Sequence, residues 1–348
     1  MDQSNNESGS GDTMQERESE RRLNQWILLE ANRWTIVGLL LLAVFILLVL
    51  LATANPAPVS ELLQLEAPVD TAFQGLIAGI ITGVTLVLTI NQLVLSQELG
   101  PLGQQRDRMQ GAMNFRQDVE EETELAVTPT EASTFLRALV EATERKAVAL
   151  QDTVSDSTDE EAVDEVTSYV DDLTENAQEV SEELADAQFG TYQVLGAALD
   201  YDYSRKIHTA RQIQNDHGDA LSDEANGTLD DLQEVLEFLG PAREHFKTYY
   251  FQWELINLSY AILFTTIPAL IVAFTMILFF DPELVSGTIW GVESVLLIVC
   301  LAVTFGVMPF MVLFAYILRV ATVAKRTLAV GPFTLRETEE AEEIQWEE

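Results

Sequence analysis

Cysteine occurs once, histidine three times and lysine four times in a chain of 348 residues. Each scarcity removes a class of chemistry. With Cys300 alone there is no intramolecular disulfide and no cysteine cage for a metal. His208, His217 and His245 stand apart, without the two-histidine spacing that a zinc site requires. No lysine follows a glycine, which excludes the usual phosphate-binding loop, and no Gly-x-Ser-x-Gly elbow occurs. The acidic run Asp159, Glu160, Glu161, Asp164, Glu165 has neither the glycine nor the alternate spacing of a calcium loop. The chain therefore reads as a non-enzyme, with no catalytic residue, no cofactor and no metal ligand. The first 33 residues also lack a short apolar core with a small-residue cleavage site, so the first apolar stretch is expected to stay as an anchor.

Basic charge is the next deficit. There are 56 Asp and Glu against 19 Lys and Arg, a formal charge of −37, and 15 of the 19 basic residues are arginine. A surface so acidic and so poor in lysine suits multimolar salt, where a Debye length of about 3 Å at 1 M screens self-repulsion, and it looks like that of a halophile's protein. Phosphate contacts need a basic patch and none occurs, so no nucleic-acid partner is expected.

What the chain has in quantity is apolar sequence. Four stretches are nearly free of charge and long enough for a bilayer, which takes about 20 apolar residues per helix. They run over 34–54, 71–96, 255–280 and 294–318, and predict an all-α protein, a four-transmembrane-helix bundle. All Lys and Arg lie outside the two short loops: four precede the first span, eleven lie between the second and third, and four follow the last. By the positive-inside rule both termini and the middle segment face the cytoplasm, making this a multi-pass protein of the cell membrane with N- and C-termini cytoplasmic. Trp34, Trp253 and Trp290 fall at span ends, where the indole prefers the headgroup layer, and Trp26 sits on a short amphipathic approach with Leu23 and Ile27.

The organisation that follows has five parts. Residues 1–33 form an acidic cytoplasmic N-terminus with that short amphipathic helix; 34–96 form a transmembrane hairpin; 97–254 form an acidic helical cytoplasmic domain inserted between spans two and three; 255–318 form a second transmembrane hairpin; and 319–348 form a helical extension and acidic tail. Gly100 to Gly103 mark a hinge below span two. In the inserted domain Thr128-Pro129-Thr130-Glu131 predicts a helix start, as does Ser157 with Glu160. Val163, Val166, Val170, Leu173, Ala177, Val180, Leu184 and Ala187 alternate spacings of three and four, which predicts a coiled-coil seam. Asn226-Gly227-Thr228 and Gly240-Pro241 are expected to separate helices. Past Pro241 one helix is expected to run to Phe280.

Span two carries the most information. Gly75, Gly79 and Gly83 form two overlapping G-x-x-x-G pairs, a helix-packing pattern. Beside them Thr71, Gly75, Ala78, Thr82, Thr85, Thr89, Gln92 and Ser96 place small and polar groups on one face. Such a face is either a packing seam, with hydroxyls bonding across to helices of the same bundle, or the lining of a path in a symmetric oligomer. Pro268 and Pro309 fall near mid-span and are expected to kink their helices. No ionisable residue lies at mid-depth, which disfavours an ion-coupled carrier. The layout resembles that of bestrophin-type channels and stator-type proton channels in arrangement, and no family follows from it. The expected function is a channel-like or passive-transport homo-oligomer built around span two. The alternative is a non-conducting scaffold or sensor-transducer whose cytoplasmic helices bind a partner protein. The partners expected are the lipid bilayer, further copies of the chain, and a cytoplasmic protein.

Overall fold

The computed structural model describes residues 32–54, 66–154, 159–187 and 192–326. Trp26, Ser157, most of the loop from Asn55 to Asp70 and the acidic tail lie outside them. The described chain is helical apart from one 3₁₀ turn and one small hairpin: α1 (Arg33–Ala54), α2 (Glu66–Glu98), α3 (Leu102–Thr123), α4 (Ala132–Val154), α5 (Glu160–Asp186), α6 (Tyr192–Asp200), α7 (Tyr203–His217), α8 (Asp223–Phe279) and α9 (Ser294–Arg326). The chain divides into two compact units, one of residues 1–101 with 251–323, the other chiefly of residues 102–250. The division falls at Pro101, inside the stretch expected to hinge.

In the first unit α1, α2, the second part of α8 and α9 are each long and apolar enough to cross a membrane. The protein is thus all-α and membrane-associated. At 1.5 Å per residue, about 20 residues cover a hydrocarbon core of about 30 Å; α2 and α9, at 33 residues each, extend beyond it. That excess is why α2 begins five residues before the apolar run that marks it in the sequence. Two apolar clusters hold the unit together. One joins Ile36 and Val37 of α1 to Val87 of α2, Leu258 and Ile262 of α8, and Val312 and Ala315 of α9; the other joins Val69 and Phe73 to Ala273, Met276 and Ala302. On α2 the buried residues Phe73, Ile80 and Val87 recur every seven positions, a single stripe facing the other helices.

Between α8 and α9 the chain forms a 3₁₀ turn (Pro282–Leu284) and a two-stranded hairpin, β1 (Thr288–Ile289) and β2 (Val292–Glu293). Thr288 pairs with Glu293 and Ile289 with Val292, leaving Trp290 and Gly291 as a two-residue turn. Both have positive φ, 52° and 81°, as a type I′ turn requires. Tryptophan in that left-handed conformation costs roughly 1–2 kcal/mol. The Ser294 amide and hydroxyl both donate to the Gly287 carbonyl at 3.0 Å, tying the base of the hairpin to the first turn of α9. Trp290 therefore marks a hairpin tip four residues before the span, rather than the span end itself.

The second unit is a helical bundle with one continuous core. Seven of the eight seam residues are buried, with Val163 partly buried against them, and they share one core with Leu136, Leu139, Ala147 and Leu150 of α4 and Leu229, Leu232 and Leu236 of α8. The heptad seam on α5 is therefore covered by helices of the same chain, and this face is not available to build a coiled coil between copies.

Several helix boundaries differ from expectation, each for a local reason. The helix expected to start at Thr128 starts at Ala132, because Glu120 of α3 accepts hydrogen bonds from the Thr128 amide (2.7 Å) and hydroxyl (2.9 Å) and holds that residue out of the helix. Those bonds, led by the backbone one, draw the Glu120 carboxyl below its ordinary value. The next helix is capped by Asp159, whose carboxylate accepts from the amides of Glu161 and Ala162. The break expected at Asn226 falls at 218–222, where the Ser222 hydroxyl caps α8 by accepting from the Ala225 amide at 3.1 Å; Asn226 lies in its first turns and donates back to the Gly218 carbonyl. Gly240-Pro241 does not end a helix. The missing Cβ at Gly240 leaves room for the Tyr203 ring, and the Arg243 guanidinium lies 4.8 Å from the centre of the same ring, so packing holds α8 continuous there. Helices α8 and α9 also run unbroken through Pro268 and Pro309.

Candidate functional site

Every residue of the polar stripe on α2, namely Thr71, Gly75, Ala78, Thr82, Thr85, Thr89, Gln92 and Ser96, is exposed. The stripe and the buried face with Phe73, Ile80 and Val87 are different sides of one helix, as the period of 3.6 residues requires. The hydroxyls of Thr82, Thr85, Thr89 and Ser96 bond within their own helix. Thr82, Thr85 and Thr89 each donate at 2.9 Å to the carbonyl four residues earlier, and Ser96 donates to Leu93 at 2.7 Å. A hydroxyl so bonded is satisfied as a donor yet still presents its oxygen outward. The side of α2 that carries Phe73, Ile80 and Val87 packs within the chain, and the stripe lies on its exposed side.

The glycines separate into two roles. A Cβ at Gly79 would stand 3.2 Å from the Phe310 ring and one at Gly83 3.6 Å from it, so this pair cradles an aromatic ring of α9 rather than a helix backbone. A Cβ at Gly306, one turn from Phe310, would in turn stand 2.9 Å from Leu76. A Cβ at Gly75 would meet nothing within 4 Å, and this glycine belongs to the open stripe.

Near the other end of α2, Asn91 donates to the Ser259 hydroxyl of α8, and that hydroxyl donates to the Leu255 carbonyl. These groups form the polar floor of an open groove of about 280 Å³, walled by Val94, Leu95, Ile256 and Tyr260.

An ionic cluster escapes a reading based on apolar runs. Glu254 of α8 is fully buried and pairs with Arg33 at the start of α1, whose guanidinium also lies 5.3 Å from the centre of the Tyr316 ring of α9. Arg319, one turn beyond Tyr316, is buried as well. A carboxylate shut away from water is stable only when paired, so Arg33 and Glu254 fix the first span against the third. Their separation of 221 residues explains why no local pattern reveals the pair.

In the second unit Lys146 of α4 bonds Asp231 at 2.9 Å and lies 3.7 Å from Glu122 of α3. Burial, with the nearby carboxylate of Glu234, raises the Glu122 carboxyl above its ordinary value. Lys206 donates to Asn176 at 2.6 Å and sits 4.5 Å from the centre of the Tyr201 ring; burial lowers its ammonium below the usual lysine range. His217 bonds Glu165 at 2.8 Å. These contacts join helices of the bundle. Among the described residues no three or more His, Cys, Asp or Glu form a group able to hold a metal ion.

No curated protein and no solved structure matches the chain. A family model does, and it covers residues 1–348. The chain belongs to the family of unknown function DUF7972.

Proposed function

We propose that the protein is a channel-like or passive-transport homo-oligomer in which copies of α2 bring their polar stripes together around a path. The observation that carries this reading is the exposure of the whole stripe on a helix whose buried side, with Phe73, Ile80 and Val87, already packs within the chain. Facing lipid, the Gln92 amide would be left in or near hydrocarbon at a cost of several kcal/mol by cyclohexane-scale transfer. Facing other copies, it meets water or matching groups. The path would be wetted by hydroxyl oxygens and carries no ionisable side chain, which suits passive movement rather than ion-coupled transport.

Replacing Thr85 and Thr89 together by valine keeps their shape and removes the wetting oxygens. Single-channel currents in planar bilayers at high salt are expected to fall about tenfold or to gate by dewetting, while the oligomer persists in size-exclusion chromatography with light scattering. Wild-type protein that is monomeric and silent under those conditions removes the reading. It would leave the second one, a scaffold or transducer whose cytoplasmic helices bind a partner protein.

The orientation belongs to the same proposal, with both termini and the second unit cytoplasmic, in the cell membrane of a salt-adapted cell. It rests on the distribution of Lys and Arg. In a Cys300→Ala background, Ser286→Cys in the loop before the hairpin is expected to react with an impermeant maleimide on intact cells, and Glu175→Cys on α5 only after lysis. Labelling of position 175 on intact cells reverses the topology.

A further inference from the structure

The most exposed large hydrophobic side chain of the described residues is also held in a left-handed backbone conformation. Trp290 is 99% exposed at φ 52°, in a turn position that glycine or asparagine occupies without strain. Among the described residues the ring has almost no contact that would offset the conformation. The hairpin that presents the ring is nonetheless firmly built, through the paired strands and the double bond from Ser294 to Gly287. A strained residue held by a rigid frame points to an interaction outside the frame.

The surroundings identify the partner. Ile289 beside the tip and Leu284 on the preceding turn are exposed, as are Leu278 and Phe279 at the end of α8, so the apolar surface continues from the lipid-facing side of the span up to the hairpin. Trp290 stands only four positions before Ser294, which begins the next span, so the tip cannot stand more than about 14 Å of chain from it. The loop from Asp281 to Glu293 carries three carboxylates and no cation, a balance that repels lipid phosphate as an isolated target. We propose that the Trp290 hairpin is a membrane-surface anchor, seating its indole in the carbonyl and headgroup layer of the leaflet at the α8–α9 end, where the amphipathic ring is favoured. The occupant of this surface is neutral or zwitterionic lipid, recognised through the indole and its apolar neighbours rather than through charge. The anchor does not depend on the stripe of α2 or on conduction.

The test uses the full-length protein in nanodiscs of phosphatidylcholine. The difference in fluorescence between wild type and Trp290→Phe isolates the emission of this ring, and Trp290→Tyr gives a second reference should the Phe variant fail to fold. That component is expected to be quenched at least about twofold more by a spin label near the lipid carbonyls than by one at the chain end, and to resist aqueous iodide. Replacing a third of the lipid by phosphatidylglycerol should not strengthen the quenching. Emission characteristic of water and open to iodide would overturn the anchor. So would emission shielded from both iodide and lipid label, which would place the ring against a second copy or another protein.

Discussion

Glu254→Gln is expected to destabilise the membrane-spanning unit by about 2–4 kcal/mol, the lower part of the range for breaking a buried pair because Arg33 keeps some contact with solvent. The Arg33 side chain is 22% exposed and that of Glu254 fully enclosed. Removing the carboxylate leaves a guanidinium beside Tyr316 and near Arg319 without its counter-charge. Removing Arg33 instead leaves an enclosed carboxylate, which is the worse of the two because Glu254 has no solvent to turn to. The double change Arg33→Gln with Glu254→Gln is expected to cost less than the sum of the single changes, since neither residual charge remains. Unfolding of the purified protein in mixed micelles, followed by ellipticity, gives the three differences and hence the coupling. Strict additivity would mean that the two groups do not interact and that the first span is held by its apolar contacts alone.

The pair shows where sequence reading stops. Four spans, their approximate limits and the break near Pro101 are local properties, set by composition over 20 residues and by Gly and Pro, and they are legible. Glu254 looks like an ordinary boundary residue, because the last charge before an apolar run normally lies in water; only its partner at position 33 changes that. The same limit applies at Trp290-Gly291. Type I′ turns are signalled by Asn-Gly or Asp-Gly, and a tryptophan there reads as a span end. Gly240-Pro241 misleads in the opposite direction, since a pair that stops most helices is carried through by the packing of Tyr203 and Arg243. The stripe on α2 was legible as a face, but which side of the bundle it occupies depends on where Phe73, Ile80, Val87 and the glycines beneath Phe310 find their partners. Periodicity fixes the angle between two faces and is silent on which one turns inward.

The seam on α5 is the place where periodicity and packing agree most fully, and it bears the largest expected effect. Val170 and Leu173 are each about 1% exposed and lie in the core shared by α4, α5 and α8. Replacing both by Asp removes two apolar side chains, at about 2–5 kcal/mol for a leucine-sized loss, and adds two carboxylates with no partner in a dry interior. The combined cost, upward of about 5 kcal/mol, is comparable with the whole stability of a typical domain, about 5–15 kcal/mol. The second unit is therefore expected to unfold in the full-length protein while the spans persist. Ellipticity at 222 nm should drop without reaching zero, and proteases should cut within residues 102–250. Asp171→Lys with Asp172→Lys, on the exposed side of the same helix turn, separates burial from charge: surface changes of this kind stay within about 0.5 kcal/mol. If the Val170 and Leu173 variant melts as wild type does, α5 is a solvated helix and the core assigned to it does not exist; if the surface pair is equally disruptive, the acidic face of α5 is itself an interface.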